Sequence, residues 1–239
     1  MNTLGDRMKA YEYVNTHYLT RKVPVIIRVD GKAFHSWVSN NNIEYPYSFR
    51  LEQAMDIAAV HTAQLIQGFK LAYIASDEAS FLLSDLDTLQ TDAWFGFNQA
   101  KLVSVTASLF TGHFNWWLSD KNYNLAFFDA RAFSIPEDDI ANYFLWRVRD
   151  WERNSLHMYA RQFFSHQELL GKDANTIHEM LHQKGKNWVT DTEVRDRSRN
   201  GCFIILGDKH EHLVPEYRMS YDSIQQLIGK LRVTEQKDK

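Results

Sequence analysis

Val23-Pro-Val-Ile-Ile-Arg-Val-Asp30-Gly31-Lys-Ala-Phe-His35 is the stretch from which the fold can be read. Its β-branched run, Val25 to Val29, predicts a buried strand. The run stops at Asp30-Gly31, and from Lys32 to Asn40 the apolar residues Phe34, Trp37 and Val38 recur at helical spacing. A strand that carries a carboxylate to its tip, followed by glycine and a helix start, is suited to hold a cation and an anion together. Gly31 admits close approach of backbone to a ligand, and the N–H groups that open a helix attract phosphate. Asp-Gly is also among the commonest turn dipeptides, so this stretch alone reads as a plain turn before it reads as a site.

Working outward, a short helix is expected near Asp6 to Tyr13. Asn40-Asn-Asn42 and Pro46 mark a loop. A long helix is expected from Ser48, its cap, to Gln67, with Gly68 ending it. Phe69 to Ala75 and Ala79 to Leu83 read as strands joined by Ser76-Asp77-Glu78, a hairpin with two acids at its turn. Trp94 to Trp117 predicts a helix. Leu125 to Ile135 predicts a fourth strand, interrupted by Asp129-Ala130-Arg131. Beyond it, Pro136 suits a first helical position in a helix running past Arg161. A helix over Ala174 to Gln183, an apolar strand Cys202 to Leu206 and a charged tail after Gly229 complete the chain.

The order β-α-β-β-α-β predicts an α+β, ferredoxin-like (split βαβ) domain over residues 1–135, followed by a mainly helical C-terminal region over 136–239. That order places the acids. The tip of the first strand and the turn between the second and third share one sheet edge, so Asp30, Asp77 and Glu78 should converge. Clustered carboxylates repel unless a cation neutralises them, and hard oxygen ligands suit Mg²⁺ better than Zn²⁺.

Composition narrows the class. Of the 239 residues 44% are hydrophobic and 14% aromatic, which excludes a disordered chain. One cysteine, Cys202, excludes an intramolecular disulfide framework and fits a reducing compartment. No membrane-length apolar stretch or hydrophobic signal core is visible, and Asp6 and Glu12 disfavour an acid-poor transit peptide, so a soluble, cytoplasmic protein is expected. A formal net charge of −3 gives no global attraction to nucleic acid, so any such site must be a local basic patch. Arg149, Arg153 and Arg161 share a face of the expected long helix with Arg147 nearby, and Arg195, Arg197 and Arg199 form a second cluster. The first is either an ordinary solvated helix face, the commoner outcome, or a phosphate-contacting stripe.

Arg28-Val-Asp30-Gly31-Lys-Ala-Phe-His35, Ser76-Asp77-Glu78-Ala-Ser80-Phe81 and Phe128-Asp129-Ala-Arg131 together resemble the tRNA-His guanylyltransferases and their relatives, the tRNA-repairing 3′-to-5′ polymerases. The likeness continues in Arg147-x-x-Asp150 with Asn154-Ser155, in Gly185-Lys-Asn-Trp188 and in Arg199-Asn-Gly201. The opening Leu4-Gly-Asp-Arg-Met-Lys is most similar to the bacterial and archaeal branch. The resemblance implies a polymerase-type palm that carries two Mg²⁺ ions on Asp30, Asp77 and the Gly31 carbonyl, with Glu78 beside them in catalysis. It implies that Asp30, Gly31, Lys32, Ala33, Phe34, His35, Ser76 and Asp77 hold the incoming GTP or other nucleoside triphosphate. It implies a homotetramer that binds tRNA through Arg131, Arg147, Arg153, Asn154, Arg161 and Arg199. The implied reaction adds nucleotides to a tRNA 5′ end, with ATP a candidate for activating that end. Eukaryotic members have His-Ile-Asn-Asn where this chain has Glu152-Arg153-Asn154-Ser155, which favours templated repair of 5′-truncated tRNA over addition of guanosine at the −1 position of tRNA-His.

Other readings compete. His178-Glu179-Met180-Leu181-His182 matches the H-E-x-x-H zinc metalloprotease signature, with both imidazoles on one helix face and Glu179 as base. The third ligand of the extended pattern would fall at Trp188, leaving only a downstream acid such as Glu193 or Glu211. A nucleotide cyclase would use the same palm, and a non-catalytic RNA-binding module would use the basic stripe without consuming triphosphate. No P-loop or dinucleotide-binding glycine fingerprint occurs.

Overall fold

The computed structural model describes residues 3–44, 46, 48–206, 210–213, 215 and 218–229. Its strands are β1 (Val25–Gly31), β2 (Phe69–Ala75), β3 (Glu78–Leu83), β4 (Phe128–Ser134), β5 (Cys202–Leu206) and β6 (His210–Leu213). They form one six-stranded sheet in the order β4-β1-β3-β2-β5-β6, and every neighbouring pair is antiparallel. The first four strands keep the split βαβ arrangement, with β3 between β1 and β2. The C-terminal region contributes β5 and β6 to this sheet, so residue 135 marks no break in it.

Strand alternation sorts the side chains. Val25, Ile27 and Val29 of β1 face a core built with α3 (Phe49–Leu65) and α4 (Gln99–Trp117), where Met55, Ala58, Phe110 and Phe114 are buried. Ile26 faces the other side, toward α5 (Glu137–Ala160), with Leu82, Phe144, Val148 and Phe203. Both faces are covered, which is why β1 reads as a continuous apolar run rather than an alternating one. A third cluster, including Leu156, Ile177, Leu181 and Trp188, joins the end of α5 to α7 (Ala174–Gln183), which follows the single turn α6 (His166–Leu169).

Several expected boundaries shift for physical reasons. The helix expected from Trp94 begins at Gln99. Residues Trp94–Phe97 form a 3₁₀ turn in which Phe95 and Gly96 have positive φ, and the Asn98 side chain then caps α4 by accepting from the Lys101 N–H at 3.1 Å. Strand β4 is not interrupted at Asp129-Ala130-Arg131. It lies at the sheet edge, so Asp129 and Arg131 point outward while Ala132 is buried. Helix α5 stops at Ala160 with Arg161 as its C-cap rather than running on. The short helices α1 (Leu4–Tyr13) and α2 (Phe34–Asn40) form as expected, whereas α8 (Asp196–Asn200) and α9 (Tyr221–Ile228) carry no clear sequence signal. The expected charged tail lies outside the described residues.

Candidate active site

Strand register brings the acids together. Asp30 at the end of β1 is opposite Glu78 on β3 and Asp129 on β4, placing three carboxylates across the same end of the sheet. Asp77, in the β2–β3 turn, comes over Gly31: the Gly31 N–H donates to the Asp77 carbonyl at 3.1 Å. A Cβ on Gly31 would stand 2.8 Å from Asp77 Oδ2 and 2.8 Å from Phe34 Cδ2. Gly31 is therefore required for close approach, not for an unusual φ. Ser76 and Ala33, on either side of this meeting point, both hold left-handed conformations (φ 53° and 50°), a backbone strain that clusters at functional sites.

An aromatic cluster makes the segment after Gly31 rigid. Phe34 stacks on Trp37 at 5.1 Å and meets Phe114 of α4 and Phe128 of β4, both at 5.9 Å. Each such pair contributes about 0.5–1.5 kcal/mol beyond area burial. The Trp37 Nε1–H donates to the Asn124 carbonyl at 2.7 Å. Beside this segment is a cavity of about 220 Å³ with Phe34, Val38, Leu51 and Met55 as apolar walls and Ser76 and Asp77 also in its lining.

The two acids of the hairpin turn have different surroundings. Glu78 is clamped: Arg147 Nε lies 2.7 Å from Oε1, Arg147 Nη2 donates to Oε2 at 3.0 Å, and Arg28 Nε lies 3.4 Å from Oε2. Burial raises the Glu78 carboxyl, and the two arginines oppose that rise. Glu78 thus ties the turn to α5 while lying opposite Asp30 in the sheet. Among the described residues no such cation pairs with Asp77. Burial raises its carboxyl, hydrogen bonds from Ser76 and its own backbone lower it, and Asp30 raises it further.

Paired carboxylates with backbone oxygen nearby fit Mg²⁺, which is bound through one or two carboxylates together with water and substrate phosphates. Among the described residues no group of three or more His, Cys, Asp or Glu side chains could hold a metal unaided. His178 and His182 on α7 are therefore not accompanied, among the described residues, by the third ligand that a zinc protease needs.

Of the expected triphosphate contacts, the Lys32 backbone N–H is already engaged, donating to the Phe127 carbonyl at 2.8 Å, while its side chain is exposed. Phe34, His35 and Ser76 line the cavity together with Asp77, and Ala33 is the N-cap residue of α2. Arg28 is the neighbour that sequence reasoning passed over. It precedes Asp30 by two residues, so strand periodicity places it on the same face, 3.4 Å from Asp30 Oδ2.

The expected tRNA contacts divide. Arg131, Arg153, Asn154 and Arg161 are exposed, with Arg153 paired to Asp150. Arg147 is largely buried against Glu78 and Asp150. Arg199 is 4% exposed and donates to the carbonyls of Trp188 (2.9 Å), Asp191 (3.0 Å) and Val194 (2.8 Å), besides pairing with Asp196. The second basic cluster is therefore architectural. Arg195 and Arg197 hold α8 to Glu52 and Asp56 of α3, and Arg199 organises the loop before α8. Arg199→Ala removes a donor from three carbonyls, of which that of Asp191 keeps the Val194 N–H, and breaks the ion pair with Asp196, and should cost about 3 kcal/mol. For a chain of this size that is a fall of roughly 6–12 °C in Tm. Thermal unfolding should show this drop while the salt slope of RNA binding stays at the wild-type value; the reverse pattern would return Arg199 to the surface role.

Comparison with known proteins gives a consistent result. The family model described as tRNAHis guanylyltransferase (Thg1) matches residues 5–136. The solved structure described as a bacterial tRNA(His) guanylyltransferase (Thg1)-like protein in complex with ATP superposes with a TM-score of 0.86 and 34% identity, covering 95% of this chain and 99% of that one. A structure of such a protein in complex with GTP gives 0.79 and 32% at the same coverage. The tRNA(His) guanylyltransferase of Schizosaccharomyces pombe is 29% identical over 92% of this chain and 77% of its own length.

Proposed function

This chain belongs to the tRNAHis guanylyltransferase family, and from that premise we propose that it is a Mg²⁺-dependent nucleotidyltransferase that extends the 5′ end of truncated tRNA in the 3′-to-5′ direction. The observation that carries the proposal is the pair Asp30 and Asp77, brought together over a glycine that leaves room for the second carboxylate. Two magnesium ions, held by Asp30, Asp77 and the Gly31 carbonyl, would acidify the attacking 3′-hydroxyl and offset charge on the leaving group. Glu78, fixed by Arg28 and Arg147, holds the turn so that Asp77 keeps its position. The apolar cavity beside Phe34 and Met55 takes the base of the incoming nucleotide, with Ser76 and the backbone of Ala33, Phe34 and His35 along its triphosphate. The exposed side chains of Arg131, Arg153, Asn154 and Arg161 contact tRNA.

A second reading, addition of guanosine at the −1 position of tRNA-His, is favoured by the names of the relatives. Incubating the protein with Mg²⁺, each labelled triphosphate, and either tRNA transcripts lacking their first nucleotide or intact tRNA-His tests the shared chemistry. No labelled product with any triphosphate would refute both readings.

Gly31→Ala gives a narrower test. The new methyl group must displace the Asp77 carboxylate or the Phe34 ring, and misplacement by about 1 Å can reduce rate by about 100-fold. The expected result is a fall in kcat on that order with tRNA affinity retained. A variant within about threefold of wild type would show that the close approach is dispensable.

A further inference from the structure

A second cavity, of about 340 Å³, lies along α5 and is lined by Arg149, Glu152, Arg153, Leu156, Ala174 and Arg218. Three of its six described lining residues are arginines, in a chain whose formal net charge is −3. The positive charge is therefore concentrated at this place and does not reflect the protein as a whole. Among the described residues Glu152 is the one acid in the lining. It is 8% exposed, and its Oε1 accepts from the backbone N–H of Arg218 at 2.6 Å. Arg218 has a φ of 61°, a left-handed conformation unfavourable for a residue with a side chain. Such a conformation persists where the surroundings fix it, and the Glu152 carboxylate is one such contact. The glutamate thus ties the segment carrying Arg218 to α5, where it meets Arg149 and Arg153.

The positive field reaches beyond the cavity. Burial first, then Arg161 and Arg153, hold His157 below the usual imidazole range, and burial followed by Arg218 does the same to His178. Of the nearby acids, Asp150 is shared between Arg147 and Arg153, so it offsets only part of the charge on Arg153.

We infer that this cavity is a phosphate-binding pocket, in which Arg149, Arg153 and Arg218 surround one phosphate group and Glu152 is the residue that positions Arg218. Guanidinium forks match phosphate oxygens in a way that ammonium groups do not. The phosphate comes either from a polynucleotide or from a free phosphate compound. The first source rests on the proposed function; the anion chemistry of the pocket does not. Arg153 follows Arg147 by six residues, about 9 Å along the helix axis.

The test uses the full chain in three forms: wild type, Arg149→Ala with Arg218→Ala, and Arg149→Lys with Arg218→Lys. Arg149 and Arg218 are exposed, so the fold should be kept, with matched thermal unfolding as the check. Binding of a tRNA transcript is followed by anisotropy across a salt titration, and binding of inorganic phosphate and pyrophosphate by calorimetry. The double alanine variant should lose roughly tenfold or more in RNA affinity, with the salt slope reduced by about 1–2. The lysine variant should keep the slope and lose part of the affinity.

Glu152→Ala should move the slope in the same direction, whereas Glu152→Gln, which keeps the acceptor oxygen, should not. Loss of phosphate and pyrophosphate binding with unchanged RNA binding supports the pocket and assigns it to a free phosphate compound. If both probes bind the double alanine variant as they bind wild type, the pocket is overturned. Triphosphate binding to the palm is measured in parallel. Its absence in wild type would count against the proposed function without touching the pocket, whose evidence is the change between variants.

Discussion

Asp30→Ala and Asp77→Ala are each expected to reduce nucleotide addition by roughly a thousand-fold or more, corresponding to several kcal/mol of transition-state stabilisation, with tRNA affinity within about threefold of wild type. Each substitution removes one of two carboxylates that meet at Gly31, and neither side chain contributes to the apolar core. Asp30 has an ion-pair partner in Arg28, which on losing it still has Glu78. Asp77 is the more informative position. Burial, the largest influence on its carboxyl, raises it above the ordinary aspartate range. A carboxylate raised in the folded state contributes stability that is fully present below its unfolded pKa and lost as pH rises through the folded one. At neutral pH, without magnesium, the ionised Asp77 is therefore a cost to the fold. Asp77→Asn should be at least as stable as wild type in chelator, by on the order of 2 °C in Tm. Added Mg²⁺ should raise the Tm of wild type and leave that of Asp77→Asn unchanged. Near-normal turnover by either alanine variant in Mg²⁺ would end the assignment of the two carboxylates to metal.

Much of this arrangement was legible in the chain because it depends on strand order and period. The run Val25 to Val29 and the short turn Ser76-Asp77-Glu78 between two apolar runs place Asp30 and Asp77 at one sheet edge before any packing is known. Period two places Arg28 on the face of Asp30 and Glu78. The tertiary environment of each charge was not legible. Arg153 and Arg199 look alike in sequence, yet one is exposed at the surface of α5 and the other is enclosed by carbonyls of residues 188–194. That difference comes from the fold of the loop before α8, which has no helical or strand periodicity to announce it. Glu78 was obscured in the same way, because its neutralisation depends on Arg147, a long-range partner from α5. Glu152 read as a missing histidine. In the fold it is a buried acceptor for the Arg218 backbone.

That placement of Glu152 bears on the choice between the two tRNA readings. Where eukaryotic members have the histidine of His-Ile-Asn-Asn, this chain has Glu152, whose carboxylate is buried and engaged with the chain's own backbone. It therefore offers no group there to recognise the tRNA-His end as such. A palm can still select its incoming nucleotide through the base opposite it, because a mismatch displaces the 3′-hydroxyl and misalignment is costly in rate. With 5′-truncated tRNAs differing only in the nucleotide opposite the gap, the expected result is preferential addition of the Watson–Crick partner in each case. The expected discrimination in kcat/KM is on the order of 100-fold over a mismatched triphosphate, close to the penalty for a misplacement of about 1 Å. The preference should be the same for a tRNA-His acceptor stem and for an unrelated one. If guanosine is added at equal rate whatever nucleotide lies opposite, and only to tRNA-His, templated repair is wrong and guanosine addition at the −1 position is the activity. Preferential pairing on both stems, with no excess for guanosine on tRNA-His, would set the −1 reading aside.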